Sequence, residues 1–411
     1  MRHTSTNFSA GIFGPVTITP SDPYAAYSAL RRSGPVHRIA GPDGSPSWLV
    51  TRYDDVRRAL ADPRLSVDKR SALPGNYRGL NLPPALDANL LNLDPPDHTR
   101  IRSLVTRAFT PGRIESLAAP IRRTADELLA PVVRRGQADL VAEYAAPLPI
   151  TVICDLLGVP EEARTDFRAW TDTMLAPPGP DEARAAIGAM LRFFAGLIEG
   201  KRSVPGDDLV SDLIAARDDD DRLSDDELTS LIFLILFAGY ENVVHLIGNA
   251  TLALLDEPVL WERLRSDRSQ LPGAVEELMR YDGPAPLAIR RFPVEDVEID
   301  GVVIPAGETV LLGISSANRD TERFPDPDRV DFDRAVGGHL ALGHGIHYCV
   351  GAPLARLEIA IALEALLDHA PGLHLGVPRS DLRWRDSIRT RGLLALPVMC
   401  WNADKTKRPG Q

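Results

Sequence analysis

The segment LGHGIHYCVG (342–351) concentrates the chain's most reactive side chains, placing Gly343, Gly345, His347, Cys349 and Gly351 just before an amphipathic helical pattern, roughly Pro353 to Leu367. A thiolate at 349 would gain from the positive end of that helix and from the N–H groups its first turn leaves free. Flanking glycines let a flat ligand approach the backbone. Three readings are open. Cys349 could be an inert core thiol, the common fate of a buried cysteine. With His339, His344 and His347 it could bind zinc, although four ligands within eleven residues and no distant pair make an atypical site. A dinucleotide fingerprint at Gly343-His344-Gly345 fails because Tyr348 stands where the third glycine should be and no βαβ unit surrounds it. Neither a Walker-type P-loop nor a G-x-S-x-G elbow occurs in the chain.

Other spacings carry chemistry only in combination. Glu277 and Arg280 lie i,i+3, a pair that contributes about 0.2–0.5 kcal/mol when exposed. His98 and Arg102 share a helical face, which by itself reads as solvated. Glu241 is followed by Asn242 in a helical run. Gly239, two residues earlier, costs that helix about 1 kcal/mol relative to alanine, so it is either a tolerated packing glycine or a place needing closeness or distortion.

Taken together these segments resemble the bacterial cytochromes P450. LGHGIHYCVG is similar to the haem-binding signature F-G-x-G-x-H-x-C-x-G, with Leu342 at the phenylalanine position. Glu277-Leu-Met-Arg280 resembles the E-x-x-R pair, FPDPDRVDF supplies Arg329 as its usual partner, and Ala238-Gly239-Tyr240-Glu241 resembles the oxygen-binding groove of the long central helix. The likeness runs from DPPDHTRIRSL to RGLLALPV. It implies the family's mainly α fold with a smaller β part, haem b between the central helix and the cysteine loop, and Cys349 as the axial thiolate that favours O–O cleavage. Propionates need cations, and His98, Arg102, Arg291 and His347 match the family's positions, Arg290 leaving a one-residue ambiguity. Glu277, Arg280 and Arg329 are implied as a buried structural network, and Leu234, Phe237, Ala238, Leu287, Ala288, Ile289, Leu393 and Leu394 as an apolar substrate lining, each of which could equally be plain core.

At the catalytic pair the sequence departs from the family. Glu241 keeps the acid, but Asn242 replaces the usual threonine, and an amide cannot relay a proton as a hydroxyl does. A water held by Asn242, or a substrate hydroxyl, is expected to complete the relay. The implied reaction is hydroxylation or epoxidation of an apolar small molecule, a bacterial secondary metabolite, with O2. Oxidative coupling, desaturation and a non-catalytic haem-binding role are the alternatives. Electrons must come from outside, from a ferredoxin and its reductase, since no flavin or iron-sulfur signature is present. Arg100, Arg107 and Arg113 are candidates for a basic docking face.

These residues need elements to hold them. Ser224 and Glu227 have capping-box spacing, and a helical pattern runs from there to about Asp256 before Pro258. Helical periodicity dominates from about Asp94 to Ala250, broken at PPGP (177–180) and at the acidic run Asp218 to Asp221. The helices beside PPGP, near Phe167 to Met174 and Met190 to Leu197, resemble the family's mobile lid. β-like pieces flank this core: VHRIA and SWLVT before it, VEDVEIDGVVIPAGETVLLGI and Leu393 to Val398 after it. No repeat or linker divides the 411 residues, so one domain is expected, with Asp404 to Gln411 as a frayed tail.

Composition narrows the classes. The chain is 44% hydrophobic and 25% charged, a globular balance, and its net charge of -11 argues against chain-wide nucleic-acid or membrane-surface binding. Four lysines among 46 bases point to a GC-rich bacterial genome. Three cysteines, no apolar N-terminal h-region and a longest apolar run of only Leu231 to Ala238 give the expectation of a soluble cytoplasmic protein.

Overall fold

The protein is described by a computed structural model covering residues 7–9, 15–19, 21–41, 44–76, 83–175, 179–218, 223–335 and 337–401. Most of the PPGP and acidic breaks and the whole expected tail lie outside these residues.

Helices Asp225–Asp256, Ala118–Arg135, Pro147–Leu157, Leu271–Asp282 and Ala352–His369 form the body. The first of these runs through its middle. Its start is fixed by the expected capping box: Ser224 Oγ accepts the Glu227 N–H at 3.1 Å, and Glu227 Oε2 accepts the Ser224 N–H at 2.8 Å. Asp225, Asp226 and Glu227 add negative charge at the positive end of the dipole. Its 32 residues span about 48 Å. The helix is long and apolar enough to cross a bilayer, yet 72% of its most apolar window is buried inside the protein. A helix apolar on all sides is here a core helix. At Gly239 an added Cβ would stand 2.6 Å from Ile153 Cδ1, the far end of a side chain that could shift to admit it, as at a tolerated packing glycine.

The β part consists of small sheets at the edges of the helical body. Pro46–Val50 pairs antiparallel with Val36–Ala40 and parallel with Thr309–Leu312, Trp48 facing Arg38 on one side and Val310 on the other. Strands Val297–Ile299 and Val302–Ile304 form a hairpin whose Asp300-Gly301 turn has φ of 46° and 80°, the left-handed pair that a two-residue turn demands. Pro397–Trp401 pairs with Gly372–Leu375 and also with Gln137–Asp139. That last strand interrupts a region whose periodicity predicts helix. It follows Gly136 in a left-handed helix cap, and its partner lies far along the chain, beyond what local periodicity registers.

Candidate functional site

The cysteine loop is built by backbone geometry. Gly343 and Gly345 have φ of 76° and 73°, conformations strained for other residues. A Cβ on Gly345 would also stand 3.0 Å from the Leu60 carbonyl. These two glycines therefore shape the turn and seat it on helix Tyr53–Ala61, a more specific task than leaving room for a ligand. The Cys349 N–H donates to the Leu342 carbonyl at 2.9 Å, closing the loop just before helix Ala352–His369. Cys349 lines a cavity and is exposed to it. Burial pushes the thiol pKa up, while the Gly351 N–H and the charges of Arg102 and Arg356 pull it down. A cation bound to the sulfur would complete the shift toward thiolate.

That cavity has a volume of about 270 Å³, is partly open to solvent, and lies between the cysteine loop and the central helix. Leu231, Leu234, Ala238, Gly239 and Asn242 form its central-helix wall. His98, Arg102 and His347 line it too, the two imidazole rings 4.4 Å apart. Arg291 lies beside them, nearly inaccessible at 2% exposure. Burial, and then the charges of Arg291, His98 and Arg102, push His347 down to about 3. Burial likewise lowers Arg291 to about 10. Asp94, the acid nearest this cluster, is already engaged by the Ser66 hydroxyl and the Val67 N–H. His98 Nε2 is buried without a hydrogen-bond partner. Buried cations and an orphaned imidazole nitrogen with little anionic compensation are what two haem propionates would satisfy, so the residues fit the group. Arg290 instead donates to Asn92 at 3.0 Å, which resolves the ambiguity in favour of Arg291.

Behind the loop, Glu277 and Arg280 are both fully buried and joined by two hydrogen bonds of 2.7 and 2.8 Å. Arg280 also donates to the carbonyls of Asn318 and Pro327, and Glu277 accepts the Asp331 N–H. The expected side-chain role of Arg329 is not found. Its guanidinium is 69% exposed and pairs with Asp331, and only its carbonyl joins the network. Arg334, 8% exposed and 3.1 Å from Glu277, takes the position, because the turn at 326–334 folds back and carries the later arginine inward. A second clamp escaped sequence reading. Glu276 accepts from Arg356 and contacts His339, and Arg356 reaches the Tyr348 hydroxyl, tying the loop to two helices. Burial alone would raise Glu276, but these partners hold it down at about 2.

Other expected site residues divide. Asn242 faces the cavity, its amide donating to the Ala238 carbonyl at 3.3 Å. Glu241, about 100° further round the helix, lines a separate smaller cavity together with Leu393 and Leu394. The expected catalytic pair is thus split between two cavities. Of the expected lining, Leu234 and Ala238 face the large cavity. Phe237 instead stacks near Phe233 at 5.6 Å. Leu287 and Ala288 pack against the two clusters of the N-terminal sheet region, and the Ile289 carbonyl receives Arg291. This segment runs beside strand Thr309–Leu312, which draws its side chains toward the sheet and leaves Pro284 and Ala285 to the cavity. Glu358, also missed, lines the wall at 1% exposure with Oε1 unpartnered, and burial raises its pKa well above the usual carboxylate range. Its only sequence signal is an acid on the apolar face of the last helix. The expected basic face is largely neutralised, since Arg100 pairs with Glu227 and Arg113 with Asp207 and Asp212.

Comparison with known proteins agrees with this geometry. A model of the family described as Cytochrome P450 matches residues 195–369. Over 92% of its length the chain is 47% identical to cytochrome P450 monooxygenase PikC of Streptomyces venezuelae, 91% of which is covered. It is 44% identical to the 6-deoxyerythronolide B hydroxylase of Saccharopolyspora erythraea, with 92% and 96% coverage. Among solved structures it is similar to the tirandamycin C-bound P450 monooxygenase TamI, with a TM-score of 0.85, 45% identity, and 92% and 98% of the two chains covered.

Proposed function

The chain belongs to the cytochrome P450 family of haem-thiolate monooxygenases, and on that premise we propose that Cys349 ligates its haem b and that the substrate is an apolar bacterial secondary metabolite, hydroxylated or epoxidised. The observation that carries this reading is a cysteine held just before a helix N-terminus on the wall of one large apolar cavity, with His98, Arg102 and His347 lining the same space and the buried Arg291 beside them. Haem bound there supplies the O2 activation that no side chain can perform. His98, Arg102, Arg291 and His347 would hold its propionates, the arginines by charge and the imidazoles by hydrogen bonds. The Gly351 N–H and the helix start hold negative charge on the sulfur, and the Glu277 and Glu276 clamps fix the loop. Apolar side chains of the central helix bind substrate by burial and exclude water. Asn242 holds a water at the cavity face of the central helix.

The named relatives favour a polyketide or similarly bulky metabolite. Electrons come from a ferredoxin and its reductase, docking on the face where Arg57, His344, Ile346 and Tyr348 surround the cysteine loop. Three unpaired cysteines fit a cytoplasmic enzyme. The test is spectral. Reduced, CO-treated protein should show the absorption band of thiolate ligation, Cys349→Ser should abolish it, and macrolactones should displace water from the ferric iron. Retention of the band in the serine variant would remove Cys349 from the site.

A further inference from the structure

The smaller cavity on the other side of the central helix holds a group that the expected mechanism does not use. His245 is 3% exposed, and neither ring nitrogen has a hydrogen-bond partner. Such a group is costly to bury without a task or an ordered water. Its Nε2 stands 3.6 Å from Glu241 Oε1, and the same oxygen stands 3.6 Å from Arg385. These separations exceed a direct hydrogen bond but suit a bridging water. Tyr240, Glu241, Val244 and His245 line a cavity of about 190 Å³ whose lining also includes Arg385 and the exposed Leu394. Beyond Glu241 and Arg385, the charged groups around it are Asp172, which accepts from Tyr240 at 3.0 Å, and Arg168, 3.7 Å from Asp172.

Helical geometry makes the placement of His245 specific. At about 100° per residue, Glu241 and Asn242 are separated by about 100° around the axis, one facing each cavity. His245 lies between them, about 40° from Glu241 and about 60° from Asn242. The chain opposite is fitted to the ring. A Cβ on Gly392 would stand 2.0 Å from His245 Nδ1, so only glycine admits the imidazole there.

We propose that His245, with Glu241 and Arg385, is the proton-supply station of this enzyme and takes over the task of the alcohol missing at Asn242. Glu241 draws a proton from water in the outer cavity and passes it to Nε2 of His245, and Nδ1 releases one toward a water beside Asn242. The net change is one proton carried inward, with no electron exchanged. Imidazole suits the task because one ring nitrogen can accept a proton while the other donates one. This proposal rests on the large cavity being the haem site, and the experiment separates the two.

His245→Phe keeps an apolar ring of similar size, and His245→Asn keeps polarity without proton exchange. Both should retain the thiolate band and substrate binding. Product formed per electron pair should fall about tenfold, with more hydrogen peroxide and a larger solvent isotope effect. The loss should be smaller than the roughly 10²–10⁴ a lone acid–base group contributes, because water still enters the outer cavity. Adding Asn242→Thr to His245→Phe should restore coupling by supplying a hydroxyl. Independently of turnover, the imidazole ¹⁵N resonances of His245 in the diamagnetic ferrous carbonyl protein should move on Glu241→Gln. Unchanged coupling and isotope effect in both single variants, or ¹⁵N resonances indifferent to Glu241, would overturn the proposal. Absence of the thiolate band from the unmodified protein would instead overturn the reading of the haem site.

Discussion

Asn242 is the residue at which this chain departs most consequentially from its family. It faces the large cavity, and its amide is occupied in part by the carbonyl one turn earlier. Asn242→Thr should therefore raise the product formed per electron pair and reduce the solvent isotope effect. If turnover, coupling and pH dependence were all unchanged, Asn242 would have no part in proton handling. Glu241 lines the cavity on the other side of the helix, so the two residues of the motif do not face one space.

Two clamps join elements around the cysteine loop, one tying Glu277 and Arg280 to the 318–334 segment and one tying Glu276 through Arg356 to Tyr348 of the loop, and they make separable predictions. Arg334 is nearly buried against Glu277, whereas Arg329 is largely exposed. Removing Arg334 strands part of a buried carboxylate, so Arg334→Ala should destabilise the protein by about 3–5 kcal/mol in denaturant titration. Arg329→Ala should change stability by no more than about 0.5 kcal/mol, because its exposed ion pair is worth little and its carbonyl remains. The second clamp is pH-sensitive. The folded pKa of Glu276, at about 2, lies below that of an unfolded glutamate, so its stabilisation is complete above about pH 4.5 and is lost as pH falls toward 2. Acid titration followed by haem absorbance should show that loss, and Glu276→Gln should reduce the slope across this window.

Across the whole molecule, net negative charge coexists with a local cationic and apolar face at the cysteine loop. Much of the arginine elsewhere is matched to acids, Arg100 and Arg113 among them, so charge density in the sequence does not locate a partner's footprint. Arg57 is exposed beside His344 and lines the hollow next to the loop. Arg57→Glu should slow reduction by a ferredoxin, with the difference shrinking as salt rises, while substrate binding stays the same. Identical reduction rates at all ionic strengths would move docking to another surface.

Signals carried by adjacent residues were legible before any fold was known: the capped central helix, the hairpin turn at Asp300-Gly301, the Cys349 loop, and the resemblance that joined them into one family. Each depends on local backbone preferences or on a few side chains at fixed spacing. The identity of Arg334 over Arg329, the burial of Glu358, and the seating of His245 against Gly392 depend on chain segments brought together from far apart. Spacing cannot tell which of two nearby arginines turns inward, or that successive residues Glu241 and Asn242 face different cavities. Those outcomes follow from how helices and loops pack around a shared volume, and only the folded chain defines that volume.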